Sequence, residues 1–219
     1  MKLLFVNPNS TDSMTDKVRE TAIAILPPAV EVIVRSNTNG PASIQGAADG
    51  KLAVPGMLEV IQQGIDEGVN GIVIACFDDT GIEQARALSD IPVLGIGQAA
   101  YHASMLAGLT FSVVTTLSIS VPVLEKNIHN FGVYPFCLNV RASEVPVLDL
   151  EEPGSDAEKR ISTEIASAIL EDHCEAIVLG CAGMTDLAAR LSAKHNIPVI
   201  DGVAYAAGLI HGLALIRSV

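Results

Sequence analysis

The sequence is poor in charged and aromatic side chains. Charged residues make up 17% of the 219 positions and aromatic residues 4%, whereas hydrophobic residues make up 49%. The interior must therefore be built from Ala, Val, Ile and Leu, and such aliphatic runs are typical of parallel strands buried on both faces. The formal net charge of -12 opposes binding to nucleic acid or to an anionic membrane, because both need clustered Lys and Arg.

Several motifs are missing as well. The four cysteines form no Cys-x-x-Cys pair and no spaced His/Cys cluster, so we expect neither a disulfide framework nor a metal site, and a reduced, cytoplasmic protein. No Gly-x-Gly-x-x-Gly follows the first strand and no Gly-Lys-Ser/Thr occurs, so no dinucleotide or nucleoside triphosphate is expected. Asn7 stops the apolar opening Met1–Val6, and His211 interrupts the apolar stretch 203–216. We interpret the first as a strand and the second as a buried terminal helix.

Two copies of one unit are visible in the chain. Cys76 and Cys181 stand 105 positions apart, and each follows an apolar run and precedes a helix-like stretch. Three further landmarks recur at offsets of 106 to 108: Val34–Ser36 with Val140–Ala142, Ile91–Val93 with Ile197–Val199, and Val6-Asn7 with Val114-Thr115. Offsets this uniform indicate a duplicated fold.

Strands alternate with helices in both copies, which is the pattern of parallel α/β sheets with right-handed crossovers. The sequence therefore predicts two pseudo-symmetric Rossmann-like α/β lobes, each a parallel sheet with flanking helices, and an active site in the cleft between them. We predict that residues 1–97 plus 203–219 form the first lobe and residues 98–202 the second. The irregular stretches Ser36–Gly50 and Ser143–Ser155 are either loops at the rim of the cleft or ordinary surface turns.

The two matching cysteines predict the chemistry. Ligands of parallel sheets bind beyond the carboxyl ends of the strands, where both cysteines lie, so one cysteine is expected on each side of the cleft. An enzyme that removes a proton from one face of a carbon and returns one to the other face needs two such groups, which indicates a racemase or epimerase. Because each cysteine precedes a helix, the helix dipole is expected to lower the thiol pKa from about 8.5 toward neutrality. Cys137 and Cys174 lack such a setting and are interpreted as structural.

Four motifs after successive strands carry a family resemblance: Asn7-Pro8-Asn9-Ser10-Thr11, Ala75-Cys76-Phe77-Asp78-Asp79-Thr80-Gly81, Phe111-Ser112-Val113-Val114-Thr115-Thr116 and Leu179-Gly180-Cys181-Ala182-Gly183-Met184. Together they resemble the hydantoin racemases of the aspartate/glutamate racemase superfamily, over nearly the whole chain. The resemblance implies a cofactor-independent isomerase that racemises 5-monosubstituted hydantoins, with Cys76 and Cys181 as its two bases. Allantoin racemase is the close relative.

Departures from the glutamate racemases point to a neutral substrate. The Asp and His that flank the cysteines there are missing here, where Asn9, Phe77 and Ala182 occupy the corresponding motifs. A substrate with a free ammonium and carboxylate is therefore less expected than a neutral ring.

Ten residues are predicted to bind the substrate: Asn9, Ser10, Ile44, Gln45, Phe77, Asp78, Thr115, Thr116, Ala182 and Gly183. The enolate oxygen that develops on proton removal needs donors, either backbone N–H groups after each cysteine or the hydroxyls of Ser10, Thr115 and Thr116. Asp78 either orients a ring N–H or Cys76, or caps the helix that begins at Ile82.

Two smaller predictions concern helix caps and the substituent pocket. For the helix that begins at Ile82, the cap prediction favours Asp79, and Ser10 or Thr11 is placed to cap the first helix. Phe77, Ile44 and Gln45 are candidates for the pocket of the substrate side chain.

Three alternatives remain open at this point. The enzyme could be an allantoin racemase, or a cysteine-dependent decarboxylase or cis-trans isomerase of the same superfamily, although a decarboxylase needs only one cysteine. A two-lobed small-molecule binding protein without chemistry is the third, but it would not need two thiols facing its cleft. In each case the partner is a small molecule, and the apolar composition favours a homo-oligomer.

Overall fold

The computed structural model describes residues 1–88, 90–152 and 154–216. The first half of the chain contains β1 (Lys2–Asn7), α1 (Asp12–Ile25), β2 (Glu31–Ser36), α2 (Ala47–Asp66), β3 (Gly71–Ile74), α3 (Ile82–Leu88), β4 (Val93–Gly95) and α4 (Ile96–Leu106). The second half contains β5 (Phe111–Thr115), α5 (Val121–Asn130), β6 (Cys137–Ala142), α6 (Ala157–Asp172), β7 (Ala176–Gly180), α7 (Ala188–His195), β8 (Val199–Ile200) and α8 (Gly202–Leu215). Pro153 of the predicted rim loop and residues 217–219 of the predicted first lobe lie outside the described residues.

The strands form two parallel sheets of the same topology. The order β2-β1-β3-β4 of the first sheet recurs as β6-β5-β7-β8 in the second, which confirms the predicted duplication. The register recurs too, because Val6 pairs with Arg35 in one sheet and Val114 pairs with Arg141 in the other. Equivalent residues of the two copies therefore leave the sheets at equivalent points.

Both central strands of each sheet are buried between helices. All residues of β3, β5 and β7 are buried, which explains why these strands are continuous aliphatic runs instead of alternating patterns. The last helix of each half crosses to the other half: α8 packs on β3 and β4, and α4 contacts β7. Because α4 and α8 also pack against each other, they join the two sheets. None of the helices in the described ranges has the length and apolar character needed to cross a membrane.

Two helix boundaries differ from the sequence pattern. Helical spacing predicts that α2 starts at Leu52, but the helix begins at Ala47. Asp49 in its first turn accepts the backbone N–H of Gln45 at 3.0 Å, a contact that periodicity does not show. Gly50 in that turn is buried, and a Cβ atom there would lie 3.4 Å from the Thr80 hydroxyl oxygen. The chain at 182–187 is a 3-10 helix, although the pattern predicts that an α-helix begins at Met184.

An arginine ties the edge strand of each sheet to the end of the following helix. Arg35 on β2 bonds Glu67, at a distance of 2.7 Å between the arginine Nη2 and a carboxylate oxygen, and both side chains are partly exposed. Arg141 on β6 bonds Asp172 with Nε to Oδ2 at 2.7 Å, and these side chains are 14% and 8% exposed. The Arg141 guanidinium lowers the pKa of Asp172 to about 2.

Candidate active site

Cys76 and Cys181 leave the carboxyl ends of β3 and β7 and line one internal cavity between the two halves. The cavity has a volume of about 30 Å³. Its wall comprises Asn9, Met14, Ile44, Ala75, Cys76, Phe77, Asp78, Thr116, Ser120, Val147, Gly180, Cys181 and Ala182. One thiol thus comes from each half of the duplicated fold, as the matching motifs predict.

Most of the predicted site residues lie in this wall, but four do not: Ser10, Gln45, Thr115 and Gly183. Among these four, Thr115 has its hydroxyl engaged inside the sheet, where it donates to the carbonyl of Gly180 at 2.9 Å. It is therefore not available to an enolate. Successive residues of a strand face opposite sides, so Thr116 can face the cavity where Thr115 cannot.

The other three residues, Gln45, Ser10 and Gly183, form hydrogen bonds outside this lining. Gln45 Oε1 accepts a hydrogen bond from the backbone N–H of Val147 at 3.0 Å and so links a loop of the first half to a loop of the second. Ser10 donates its backbone N–H to the carbonyl of Pro41 at 3.0 Å. Gly183 turns its carbonyl toward Lys17 Nζ at 3.2 Å.

Five wall residues were missed from the sequence: Met14, Ala75, Ser120, Val147 and Gly180. Ala75 and Gly180 each precede a cysteine within the repeated motif, and that position was a usable signal. Ser120 and Val147 come from the connection before α5 and from the rim loop, and only the tertiary fold brings them to the cavity. Thr80 was also missed; its hydroxyl oxygen lies 3.6 Å from the Cys76 sulfur.

The environment of Cys76 raises its thiol pKa, which contradicts the expected lowering by a helix dipole. Burial is the main cause, and the negative charge of Asp78 adds to it. The Thr80 hydroxyl and the backbone N–H of Asp78 face the sulfur and act in the opposite direction. A turn separates Cys76 from α3, whose first residue is Ile82, so the helix end is too far away to compensate for burial.

Cys181 shows the same trend with different neighbours. Burial raises its pKa to about 12, and the backbone N–H of Gly183 is the main opposing group. Lys17 lowers this pKa, whereas Asp78 and Glu151 raise it. The cysteine itself is the N-cap of the 3-10 helix 182–187, and this short element does not offset the burial.

Asp78 contributes a carboxyl group that influences both thiols. Its charge raises the pKa of Cys76 and of Cys181, so the carboxyl lies near both sulfurs. Burial raises the pKa of Asp78 itself to about 7. Its backbone carbonyl is held by Asn127 Nδ2 at 2.8 Å, while no side chain in the described part of the chain hydrogen bonds the carboxyl. The carboxyl is thus available to a ligand.

Asn9 contributes a side-chain amide to the cavity wall. Its Oδ1 accepts from Asn7 Nδ2 and from the backbone N–H of Thr11, each at 2.9 Å. This arrangement turns Asn9 Nδ2 toward the sulfur of Met14 at 3.4 Å, which is only a weak acceptor. Thr11 occupies the N-cap position of α1, as predicted, but its hydroxyl accepts no N–H from the helix and donates to the carbonyl of Ala42 at 2.7 Å.

The cap prediction for Asp79 is also corrected. Its carboxylate accepts from the backbone N–H groups of Gly97 at 2.9 Å and Gln98 at 2.7 Å, so it caps α4 and not α3. Burial raises the pKa of Asp79 to about 8. Sequence distance hid this contact, because the carboxylate reaches a helix that starts well beyond the next one.

A larger groove of about 740 Å³ adjoins the cavity and shares Asp78 with it. Residues of both halves line this groove, among them Lys51 on α2 and Lys126 on α5. It is large enough for a small organic ligand, and the shared Asp78 places it next to the cavity that holds the two thiols. No cluster of three or more His, Cys, Asp or Glu in the described ranges is arranged to hold a metal ion.

Comparison with known proteins gives consistent matches. A family model described as Asp/Glu/Hydantoin racemase matches residues 3–210. A hydantoin racemase of Rhizobium meliloti is 46% identical over 213 residues, which cover 97% of this chain and 88% of that protein. The structure of an allantoin racemase from Klebsiella pneumoniae matches with a TM-score of 0.94 at 35% identity and covers 99% of this chain and 88% of that one. For an allantoin racemase from Pseudomonas fluorescens the TM-score is 0.93 at 33% identity, with 99% and 92% covered.

Proposed function

The chain belongs to the Asp/Glu/hydantoin racemase family and is a racemase, an isomerase, and from that premise we propose that it interconverts the enantiomers of 5-monosubstituted hydantoins without a cofactor. One observation carries the proposal: two thiols, Cys76 and Cys181, at equivalent positions of the two halves line a single cavity. The similarity to a hydantoin racemase supports this substrate class.

The chemistry of a hydantoin suits such a pair. The C5 proton lies beside the C4 carbonyl, which takes up the charge when the proton leaves. The ring carries no carboxylate, so no existing negative charge opposes carbanion formation. The barrier is therefore lower than for a free amino acid, and side chains alone can act as acid and base.

In the proposed cycle one cysteine is a thiolate and the other a thiol. The Cys76 thiolate removes the C5 proton from one face, and the Cys181 thiol delivers its proton to the other face. The enzyme is left with a Cys76 thiol and a Cys181 thiolate, ready for the opposite enantiomer. Because burial raises both thiol pKa values, few molecules hold a thiolate at neutral pH, but that thiolate is a strong base. We therefore expect the rate to rise toward alkaline pH.

Three polar side chains would hold the ring. We assign the enolate oxygen to the hydroxyl of Thr116 and to Asn9 Nδ2, since both line the cavity and Thr115 is engaged elsewhere. A donor of this kind is worth about 3 to 4 kcal/mol in the transition state. The carboxyl of Asp78 accepts a ring N–H. The side chains of Ile44, Phe77, Ala182 and Val147 supply apolar contacts.

Allantoin is the second candidate substrate, because it is itself a hydantoin with a ureido group at C5. The overall match to two allantoin racemase structures favours it. The groove beside the cavity offers amides and cations to a polar substituent, among them Asn127 and Lys126.

Optical rotation decay tests the proposal. Enantiopure hydantoins with benzyl, isopropyl and ureido groups at C5 are incubated with the enzyme and with buffer alone, since hydantoins also racemise slowly without enzyme. We expect acceleration for at least one compound, with one deuterium at C5 per inversion in heavy water. No acceleration for any compound, or full activity of a variant with a single cysteine, would overturn the proposal.

We further propose a cytoplasmic homo-oligomer with no partner beyond its substrate. The catalytic thiols must stay reduced, which the cytoplasm ensures. An apolar groove between α4 and α8, with Leu106 71% exposed and Leu213 at its edge, supports contact with a second copy. Light scattering tests this: we expect a mass of at least twice 22.9 kDa, and a monomer at micromolar concentration would contradict it.

A further inference from the structure

The two halves cap their last helices from different positions. In the second half, Asp201 at the end of β8 caps α8 with its own carboxylate, which accepts from Val203 at 3.0 Å and from Ala204 at 3.3 Å. The equivalent position of the first half is Gly95, which has no side chain. There the carboxylate comes from Asp79, which lies in the turn after Cys76.

Two glycines at the start of α4 make room for the Asp79 carboxylate. A Cβ atom on Gly95 would overlap the carboxylate of Asp79, and one on Gly97 would lie 2.9 Å from Asp79 Oδ2 and overlap the carbonyl of Phe77. The start of α4 is thus shaped around the Asp79 side chain. In the second half, the residue equivalent to Asp79 is Met184, which is fully buried and has no polar side-chain atom to reach α8.

The turn that contains Asp79 also carries the two donors that face Cys76. Asp79 has a left-handed backbone with φ of 48°, and its N–H donates to the carbonyl of Cys76 at 3.0 Å. Asp78 on one side of it supplies a backbone N–H to the sulfur, and Thr80 on the other supplies a hydroxyl at 3.6 Å. A shift of this residue would therefore move both donors.

We propose that Asp79 is a positioning residue whose carboxylate anchors the turn 77–81 to the start of α4 and so holds both donors against the Cys76 sulfur. The inference rests on the proposed function only in giving Cys76 a role as base. The effect is one-sided, because the segment after Cys181 is tied to its helix differently. Thr185, the counterpart of Thr80, donates its hydroxyl to Asp201 at the start of α8 and not to the thiol.

Whether the Cys76 thiol becomes less or more reactive distinguishes two possible roles of Asp79, holding the turn in position and supplying a negative charge. The charged and titratable groups around Asp79 are Asp78 beside it, Arg86 on α3 and Tyr101 on α4. Removing the negative charge that Asp79 carries above about pH 8 would by itself favour the Cys76 thiolate. Displacing the two donors would disfavour it. If the Cys76 thiolate reacts more slowly after Asp79 is replaced, Asp79 acts through position. If it reacts faster, Asp79 acts through its charge.

Site-resolved alkylation of the full chain is the test. The thiolate sulfur displaces iodide from iodoacetamide, and mass spectrometry follows Cys76 and Cys181 separately between pH 7 and 10. For Asp79→Asn we expect alkylation of Cys76 to slow about tenfold, which corresponds to a thiol pKa about one unit higher. Alkylation of Cys181 should stay within about twofold of the native rate.

Two variants complete the design. Asp201→Asn weakens the matching cap in the second half and should leave the alkylation rate of Cys76 unchanged. Gly95→Ala displaces the Asp79 carboxylate without changing its charge, so it should slow alkylation of Cys76 as Asp79→Asn does. If one of these two variants fails to fold, the other still tests the inference. The inference would be overturned if alkylation of Cys76 kept its native rate or became faster, or if alkylation of both cysteines slowed equally. Because alkylation needs no substrate, its result is independent of the racemisation assay that tests the proposed function.

Discussion

The two halves share a backbone and differ in the side chains around their cysteines. Cys76 has a threonine hydroxyl at 3.6 Å, whereas the equivalent threonine of the other half, Thr185, is engaged by Asp201 and by Thr21. Cys181 instead has Lys17 nearby, from α1 of the opposite half. Duplication thus supplies two thiols that line one cavity, and the side chains around each thiol differ between the halves. The proposed two-base mechanism requires the first property, and the second predicts that its two directions can be altered separately.

The largest expected effect comes from removing either thiol. Cys76→Ser and Cys181→Ser should each reduce racemisation by at least about 100-fold, because a serine hydroxyl is a far weaker base. Each variant keeps one thiol, which can still remove and return the proton on its own face. We therefore expect deuterium exchange at C5 of one enantiomer in one variant and of the opposite enantiomer in the other, measured by NMR in heavy water. Exchange of the same enantiomer in both would contradict the two-face arrangement.

Replacing the equivalent arginines of the two halves compares how much each ion pair stabilises the fold. Arg141→Ala leaves the buried carboxylate of Asp172 without its cation and should lower the free energy of unfolding by about 3 kcal/mol. Arg35→Ala breaks a partly exposed pair with Glu67 and should cost less than about 1 kcal/mol. Urea unfolding of both variants measures the difference. Equal losses would mean that burial does not distinguish the two pairs.

The pH dependence of stability tests the buried carboxyl of Asp79. Its folded pKa of about 8 lies above the ordinary 3.8, so the folded state holds its proton more tightly than the unfolded state does. Its contribution to stability is complete below the ordinary pKa and is lost as pH rises to about 8, with a slope of up to about 1.4 kcal/mol per pH unit. Asp79→Asn should flatten the slope between pH 6 and 8 in urea unfolding. A slope equal to that of the native chain would show that another group titrates.

The link between the rim loops should also give a small effect. Gln45→Ala removes the acceptor for the backbone N–H of Val147 and should lower the free energy of unfolding by about 1 kcal/mol. Gln45→Glu keeps an acceptor at the same place and serves as the control. Thermal unfolding compares the two, and equal melting temperatures would argue against a stabilising contact between the loops.

The repeated strands and the meeting of Cys76 and Cys181 in one cavity were predictable, because they depend on local pattern. Buried parallel strands are aliphatic runs, and a duplicated motif marks the same point of each copy. Asp79 was assigned to the wrong helix, because a cap formed across two intervening elements leaves no local signal. The thiol pKa was predicted in the wrong direction, because sequence shows that a helix follows Cys181 but not how deeply the sulfur is enclosed. Val147 reaches the site only through the fold of the rim loop.

The size of the cavity between the thiols has a kinetic consequence. A space of about 30 Å³ holds about two water molecules, because one water needs about 10 to 15 Å³ in this measure, whereas ligand pockets commonly span about 300 to 1,000 Å³. We therefore expect the walls of the cavity to move apart when a substrate enters and again when the product leaves. The hydrogen bond between Gln45 and Val147, a residue of the cavity wall, joins the two halves and opposes such an opening. Where proton transfer is the faster event, the rate of this opening limits turnover.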